Sequence, residues 1–113
     1  IDNASAGGTI KVWAGTYDES IEIDTQLTLI GNGTSTIING DDDADVVKIT
    51  GSNVSFSGFK LNINDNYGIY TTSSYTTIKN NYIIGDYCSH GDGGIYVSSN
   101  NNVIDNQLKV GKI

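Results

Sequence analysis

The sequence predicts an all-β fold, a right-handed single-stranded parallel β-helix of about four coils. GIYTTSSYTTIKNNYI (68–83) returns as GIYVSSNNNVIDNQL (94–108), and VVKITGSNVSFSGFKL (46–61) fits the same frame. Self-similarity with a period in the twenties is typical of solenoids. Within each repeat the apolar residues lie two apart, which is the period of a strand. Gly, Asn, Ser and Asp separate these apolar pairs, which indicates turns between short strands.

The repeats align in one register. Equivalent apolar residues recur at positions 29, 56, 78 and 103, so the coils are 27, 22 and 25 residues long. Each coil offers three short strands, for example 69–71, 76–78 and 81–83, and equivalent strands pair in parallel about 4.8 Å apart. The predicted inward columns are Ile21, Val47, Ile69 and Ile95; Ile23, Ile49, Thr71 and Val97; and Leu27, Val54, Thr76 and Asn101.

A bend between two strands of each coil is predicted to hold an inward asparagine. Asn32, Asn81 and Asn106 lie three residues after the aligned apolar position, and Phe59 interrupts their column. An inward Asn can bond the backbone of its own turn and the Asn of the next coil, where water has no access. This register places Thr34 inward too, and an inward Asn32 would block modification of its Asn-Gly-Thr sequon.

The chain is predicted to be a single domain, with 1–8 as the remnant of an N-terminal cap and 9–113 as coils. We expect a fragment of a longer protein whose open sheet edges could pair with other chains, so self-association through the solenoid ends is one expectation. The lone Cys88 excludes an internal disulfide.

The charge excludes some classes of partner. The formal net charge is −7, with six Lys and no Arg. Such a chain is a poor match for nucleic acid or an anionic membrane surface. No apolar run reaches the length of a transmembrane segment, so we expect no membrane insertion. The abundance of Asn, Ser, Thr and Gly is typical of extracellular or cell-surface solenoids.

The segment GGTIKVWAGTYDESIEIDTQLTLIGNG (7–33) resembles the opening coil of the pectin-lyase-like parallel β-helix superfamily, with Ala14 where members often have Pro. NVSFSGFKL (53–61) and the two GIY repeats resemble generic β-helix repeats of surface and NosD-like proteins. This resemblance implies the fold. It leaves the function open, because the fold hosts lyases, hydrolases, esterases, adhesins and scaffolds. One His, one Cys and no Met give no credible copper site, so the metal associated with NosD-like proteins is not expected here.

The turns before Ile21, Val47, Ile69 and Ile95 are predicted to stack along one edge, which gathers most of the acidic residues. In the enzymes that the chain resembles, this edge borders the substrate groove. A glycosidase needs two carboxylates about 5–9.5 Å apart. The weak catalytic candidates at this edge are Asp65, Asp86, His90 and Asp92.

Known enzyme signatures of the superfamily are incomplete in this chain. Pectate lyases and pectin methylesterases rely on an Arg, which this sequence lacks. Of the polygalacturonase pattern only Ser89-His90-Gly91 is present, which partly resembles the Gly-His-Gly element of those enzymes. We therefore favour a chain that is not catalytic by itself.

The acidic edge admits two interpretations. Hard cations prefer oxygen ligands, so a Ca²⁺ ion between neighbouring turns would relieve the repulsion between carboxylates. Its ligands would come from Asp41, Asp43, Asp45 and Asp65. The alternative, which we favour, is a solvated acidic edge that keeps the solenoid soluble.

Outward tyrosines are the candidate ligand-binding residues. Tyr70 and Tyr96 are predicted neighbours on stacked strands, with Lys48 in the same column and Tyr82 outward on another strand. Aromatic rings with a polar tip can bind sugar faces, although tyrosines also simply pair well across a sheet. The favoured function is a non-catalytic extracellular or cell-surface solenoid that binds polysaccharide or mediates adhesion. The alternatives are a fragment of a polysaccharide-active lyase or glycoside hydrolase, and a structural segment that stacks end to end into filaments.

Overall fold

The computed structural model describes residues 7–41, 44–64, 67–85 and 94–110. These ranges contain fourteen short strands and a 3-10 helix at Gly33–Ser35. The strands are β1 (Gly8–Lys11), β2 (Gly15–Asp18), β3 (Ile21–Ile23), β4 (Leu27–Ile30), β5 (Thr36–Asn39), β6 (Val47–Ile49), β7 (Ser55–Ser57), β8 (Lys60–Asn62), β9 (Ile69–Thr71), β10 (Thr77–Lys79), β11 (Tyr82–Gly85), β12 (Ile95–Tyr96), β13 (Asn102–Ile104) and β14 (Gln107–Val110).

Three parallel sheets form a β-solenoid of about four turns, which confirms the predicted fold class. Sheet A has the order β1-β4-β7-β10-β13, sheet B the order β2-β5-β8-β11-β14, and sheet C the order β3-β6-β9-β12. Each coil gives one strand to A, then one to B, then one to C. No helix in the described part of the chain is long and apolar enough to cross a membrane.

The pairing register confirms the predicted coil lengths. Phe56 lies opposite Leu29 on one side and Ile78 on the other, and Ile78 lies opposite Val103. Ile10 extends this column into the first coil by pairing with Leu29. The column of Ile21, Val47, Ile69 and Ile95 is also in register. Two of the three example strands begin one residue later than expected, at positions 77 and 82, and the third, 69–71, is confirmed.

The inward side chains of the three sheets form one continuous core. Phe56 and Phe59 stack inside it with their ring centroids 4.5 Å apart. Burial of each such side chain stabilises the fold by about 1.5–3 kcal/mol. The fully buried large side chains are Phe56, Phe59, Ile23, Leu27, Leu29, Ile49, Leu61, Ile69, Ile78, Ile83, Val46 and Val47.

A single residue makes the bend from sheet A to sheet B in the later coils. Gly58, Asn80 and Asp105 occupy this place with φ values of 79°, 57° and 54°. Gly, Asn and Asp are the residues that enter the left-handed region most readily. The bend turns the following residue inward, which brings Phe59, Asn81 and Asn106 into one column.

The predicted asparagine ladder exists between Asn81 and Asn106. Asn81 Nδ2 donates to Asn106 Oδ1 at 3.1 Å and to the Phe56 carbonyl at 3.3 Å. Asn81 Oδ1 accepts the backbone N–H of Phe59 at 3.0 Å. Asn106 Oδ1 accepts the backbone N–H of Asn81, and its Nδ2 donates to the Ile78 carbonyl, both at 3.0 Å. The two amides thus satisfy backbone groups at the bends.

The predicted inward positions of Asn32 and Thr34 are wrong. In the second coil, residues 31–35 replace the single bend residue, so this coil has four extra residues at the bend. Thr36 is buried and takes the inward place, and its Oγ1 accepts the backbone N–H of Asn32 at 2.7 Å. Asn32 and Thr34 are exposed, and Ile38 rather than Thr34 pairs with Leu61. A spacing pattern that assumes equal bends cannot detect such an insertion.

The core is open at the first and last described coils. At the first coil a cavity of about 400 Å³ is lined by apolar residues that include Ile10, Val12 and Ile21, and by the polar residues Glu19, Ser20 and Glu22. At the last coil Val103 and Leu108 are 44% and 49% exposed.

Removal of the Asn81 side chain tests the ladder. We expect Asn81→Ala to lower the free energy of unfolding by roughly 2–4 kcal/mol, because the Phe59 N–H loses its acceptor in the core and the Phe56 carbonyl loses one of its donors. Urea unfolding followed by circular dichroism measures the change. The control is Asn102→Ala, on the exposed face of β13, which we expect to change stability by less than about 0.5 kcal/mol. Equal effects of the two substitutions would contradict the ladder.

A pair of glycine substitutions separates backbone strain from crowding. Gly58 and Gly33 both have positive φ, at 79° and 66°. A Cβ on Gly58 would lie 2.7 Å from the Gly31 carbonyl oxygen, whereas a Cβ on Gly33 has no atom within 4 Å. We therefore expect Gly58→Ala to destabilise the protein by about 1–3 kcal/mol more than Gly33→Ala. Thermal and urea unfolding of both variants check this, and similar losses would show that strain alone matters.

Candidate functional site

The outward face of sheet C contains the residues predicted to bind a ligand. Lys48 lies opposite Glu22 on β3 and opposite Tyr70 on β9, and Tyr70 lies opposite Tyr96 on β12. The column therefore reads Glu22, Lys48, Tyr70, Tyr96 along the solenoid axis. The structure places Lys48 in the same column as the two tyrosines, as the sequence predicts.

Three tyrosines form a cluster at one end of this column, which we call the tyrosine cluster (Tyr67, Tyr70 and Tyr96). The rings of Tyr70 and Tyr96 are stacked, with centroids 4.6 Å apart and planes inclined by 11°. The Tyr67 ring is tilted against both, with centroids 5.6 Å from each. Tyr96 is 44% exposed, and the other two are half-buried. The cluster thus presents aromatic surface to solvent, while ring–ring contact restricts its motion.

Sequence analysis missed Tyr67, which the turn from sheet B to sheet C brings into the cluster. Asp45 Oδ1 accepts the backbone N–H of Tyr67 at 2.9 Å, and the Tyr67 carbonyl accepts the N–H of Val46 at 2.9 Å. Asp45 and Tyr67 each lie two residues before an aligned inward residue, Val47 and Ile69. That spacing could have identified the contact, but the direction of the Tyr67 ring depends on the turn.

Tyr82 lies on a different sheet from the tyrosine cluster. It is half-buried on the outward face of β11, opposite Lys60 of β8 and Gln107 of β14. The predicted ligand-binding residues therefore divide between two faces: Lys48, Tyr70 and Tyr96 on sheet C, and Tyr82 on sheet B.

At the acidic edge, the carboxylates of Asp18, Asp41 and Asp45 each bond to a neighbouring coil. Asp41 Oδ2 accepts the Ser20 N–H at 3.2 Å, and the Asp41 N–H donates to Ser20 Oγ at 2.9 Å. Asp18 Oδ1 accepts the side-chain amide of Asn39 at 2.7 Å, and Asn39 in turn accepts that of Asn62 at 2.6 Å. These bonds show that part of the acidic edge has a structural role, since the carboxylates hold consecutive turns together.

The Ca²⁺ site and the catalytic candidates stay predictions. In residues 7–41, 44–64, 67–85 and 94–110, no group of three or more His, Cys, Asp or Glu side chains is arranged to hold a metal ion. Of the four expected Ca²⁺ ligands, Asp41 and Asp45 are described and both bond to backbone N–H groups. The other candidates lie outside the described residues; they are Asp43, Asp65, Asp86, His90 and Asp92, and Cys88 lies there as well.

Comparison with protein-family models, with curated proteins and with solved structures finds no match to this chain. A stacked aromatic surface with a lysine at the adjacent register position combines apolar area with polar groups, which is the chemistry that a flat, partly apolar and partly polar ligand requires.

Asp45 is a positioning residue for the tyrosine cluster, and its substitution tests this role. We expect Asp45→Ala to speed hydrogen exchange of the Tyr67 amide by about tenfold, because that N–H loses its acceptor. Asp45→Asn keeps an oxygen at the same place and should restore slow exchange. NMR-detected exchange reports both variants. Slow exchange in Asp45→Ala would mean that the turn is held by other contacts.

Proposed function

We propose that this chain is a non-catalytic β-helix segment of an extracellular or cell-surface protein and that it binds polysaccharide through the tyrosine cluster. The observation that supports the proposal is the stacking of Tyr70 on Tyr96, 4.6 Å apart, on the outward face of sheet C. Contiguous exposed aromatic surface is one of the features that mark interaction sites on proteins.

Sugar rings match this surface chemically. A pyranose has an apolar C–H face that packs on an aromatic ring, and hydroxyl groups at its rim that need hydrogen-bond partners. The tyrosine rings supply apolar area, and their hydroxyl groups supply the polar tips. The exposed ammonium of Lys48, next to Tyr70 in the column, can donate to hydroxyl or carboxylate oxygens of the next sugar unit.

The elongated shape of the site favours a polymer over a small molecule as the ligand. Equivalent residues of successive coils follow each other about every 4.8 Å along the solenoid axis. The column from Glu22 to Tyr96 spans four coils, so it forms a strip rather than a pocket. An extended glycan can lie along such a strip. The sequence pattern resembles the pectin-lyase-like superfamily, and the members of that superfamily that are lyases and hydrolases act on polysaccharides, which is compatible with the same class of ligand.

Affinity electrophoresis through gels that contain polygalacturonate or hydroxyethylcellulose tests the proposal. We expect at least one polymer to retard the protein, and Tyr70→Ala to weaken binding by roughly tenfold, or about 1.4 kcal/mol, because the stacked surface is lost. The matched control is Tyr75→Ala. Tyr75 is 64% exposed and lies at the bend from sheet C to sheet A, outside the cluster. We expect this control to bind like the unmodified chain.

The same gels test whether the tyrosine cluster is the binding site and whether binding requires calcium. Absence of retardation by either polymer, or equal retardation of the Tyr70→Ala protein, would refute binding at the tyrosine cluster. Parallel gels with Ca²⁺ and with a chelator address the acidic edge. Loss of retardation on chelation in the gel of the uncharged hydroxyethylcellulose would show that binding requires calcium.

A further inference from the structure

A second concave site lies on sheet B, away from the tyrosine cluster. It is a groove of about 290 Å³ between the loop 31–35 and the outward face of the later coils. We call it the sheet B groove. Its lining residues are Gly33, Thr34, Phe59, Asn80, Asn81, Tyr82, Asp105 and Gln107.

The insertion in the second coil creates this groove. The bends of the later coils use a single residue, Gly58, Asn80 or Asp105. The 31–35 loop is four residues longer, and its Gly33 and Thr34 line the groove together with residues of the later coils. Tyr82 and Gln107, which lie opposite each other on β11 and β14, both line it. The groove therefore exists because one coil departs from the repeat.

Five polar side chains in the groove have no hydrogen-bond partner within the part of the chain that the structure describes. They are those of Thr34, Asn80, Tyr82, Asp105 and Gln107. All except the half-buried Tyr82 are exposed. The inward amide of Asn81, by contrast, makes three hydrogen bonds, one accepted and two donated. Free amide, hydroxyl and carboxylate groups around one aromatic ring are thus available to a ligand.

We propose that the sheet B groove binds one neutral hexopyranose unit, with the Tyr82 ring beneath the sugar and Asn80, Asp105 and Gln107 at its hydroxyl groups. Specific ligand sites combine apolar surface with a few placed polar groups. The volume lies near the lower limit for ligand pockets, about 300 Å³, which fits one ring. Asp105 brings a negative charge into the groove, so it accepts hydrogen bonds from hydroxyl groups and repels a uronate, whereas Lys60, opposite Tyr82, is not among the residues that line the groove.

This site is independent of the proposed function of sheet C. The two faces share no residue, so either can bind a sugar while the other does not. If both bind, one polysaccharide could engage two faces, or two chains could be linked by one protein.

Two-dimensional ¹H–¹⁵N NMR of the intact chain tests the proposal with methyl pyranosides of glucose, mannose and galactose, and with the methyl pyranoside of galacturonic acid. We expect at least one neutral glycoside to shift the amide signals of Asn80, Tyr82 and Gln107 with a Kd in the millimolar range. The uronate should shift them at least fivefold more weakly. Tyr82→Ala should abolish the shifts, and Tyr70→Ala should leave them unchanged, which distinguishes this site from sheet C.

Substitutions at two exposed positions test the site even if the Tyr82→Ala protein does not fold. Gln107→Ala should weaken binding of the neutral glycoside, and Asp105→Asn should bring uronate binding to within about twofold of neutral binding, because the repulsive charge is gone. Absence of shifts with all three neutral glycosides would overturn the proposal. So would unchanged shifts in both Tyr82→Ala and Gln107→Ala, or preferential binding of the uronate.

Discussion

Parallel backbone pairing between successive coils is the constraint on which the rest of this structure depends. Hydrogen bonds between equivalent strands require that each coil bring the same residues back above those of the coil before. The coils differ in length, at 27, 22 and 25 residues, yet Leu29, Phe56, Ile78 and Val103 remain in one column. All variation in length must therefore be placed between the strands. It lies in the 31–35 loop, in the turns that join the strands of sheets B and C, and, by one residue, in the turn from sheet C to sheet A.

The bends that restore the register rely on specific residues. One residue in the left-handed conformation is enough to turn the chain from sheet A to sheet B. Gly58, Asn80 and Asp105 all adopt that conformation. The next residue turns inward, where a polar side chain must bond to the backbone or cost free energy. Asn81 and Asn106 meet this requirement by bonding to each other and to main-chain groups, so the ladder joins adjacent coils at a place where no strand pairing exists.

With the inward positions fixed, the outward positions and the turns are free to differ between coils. Both candidate binding surfaces arise there. On sheet C, register alone stacks Tyr70 on Tyr96, and a turn adds Tyr67. On sheet B, Gly33 and Thr34 of the longer bend line a groove together with Tyr82. Substitution at these places leaves the core intact, which is why a solenoid can acquire surface sites without loss of its fold.

The sequence by itself determined the parallel solenoid, the coil lengths, most inward columns, the Asn81–Asn106 ladder and the shared column of Lys48, Tyr70 and Tyr96. These features follow from spacing, because parallel pairing repeats the same chemistry at the same place in each coil. Only the tertiary structure decided that Thr36 rather than Asn32 turns inward, that Tyr67 joins the cluster, and that Tyr82 faces a groove. These depend on how an irregular loop or turn folds over its neighbours, and a repeat pattern has no information about segments that do not repeat.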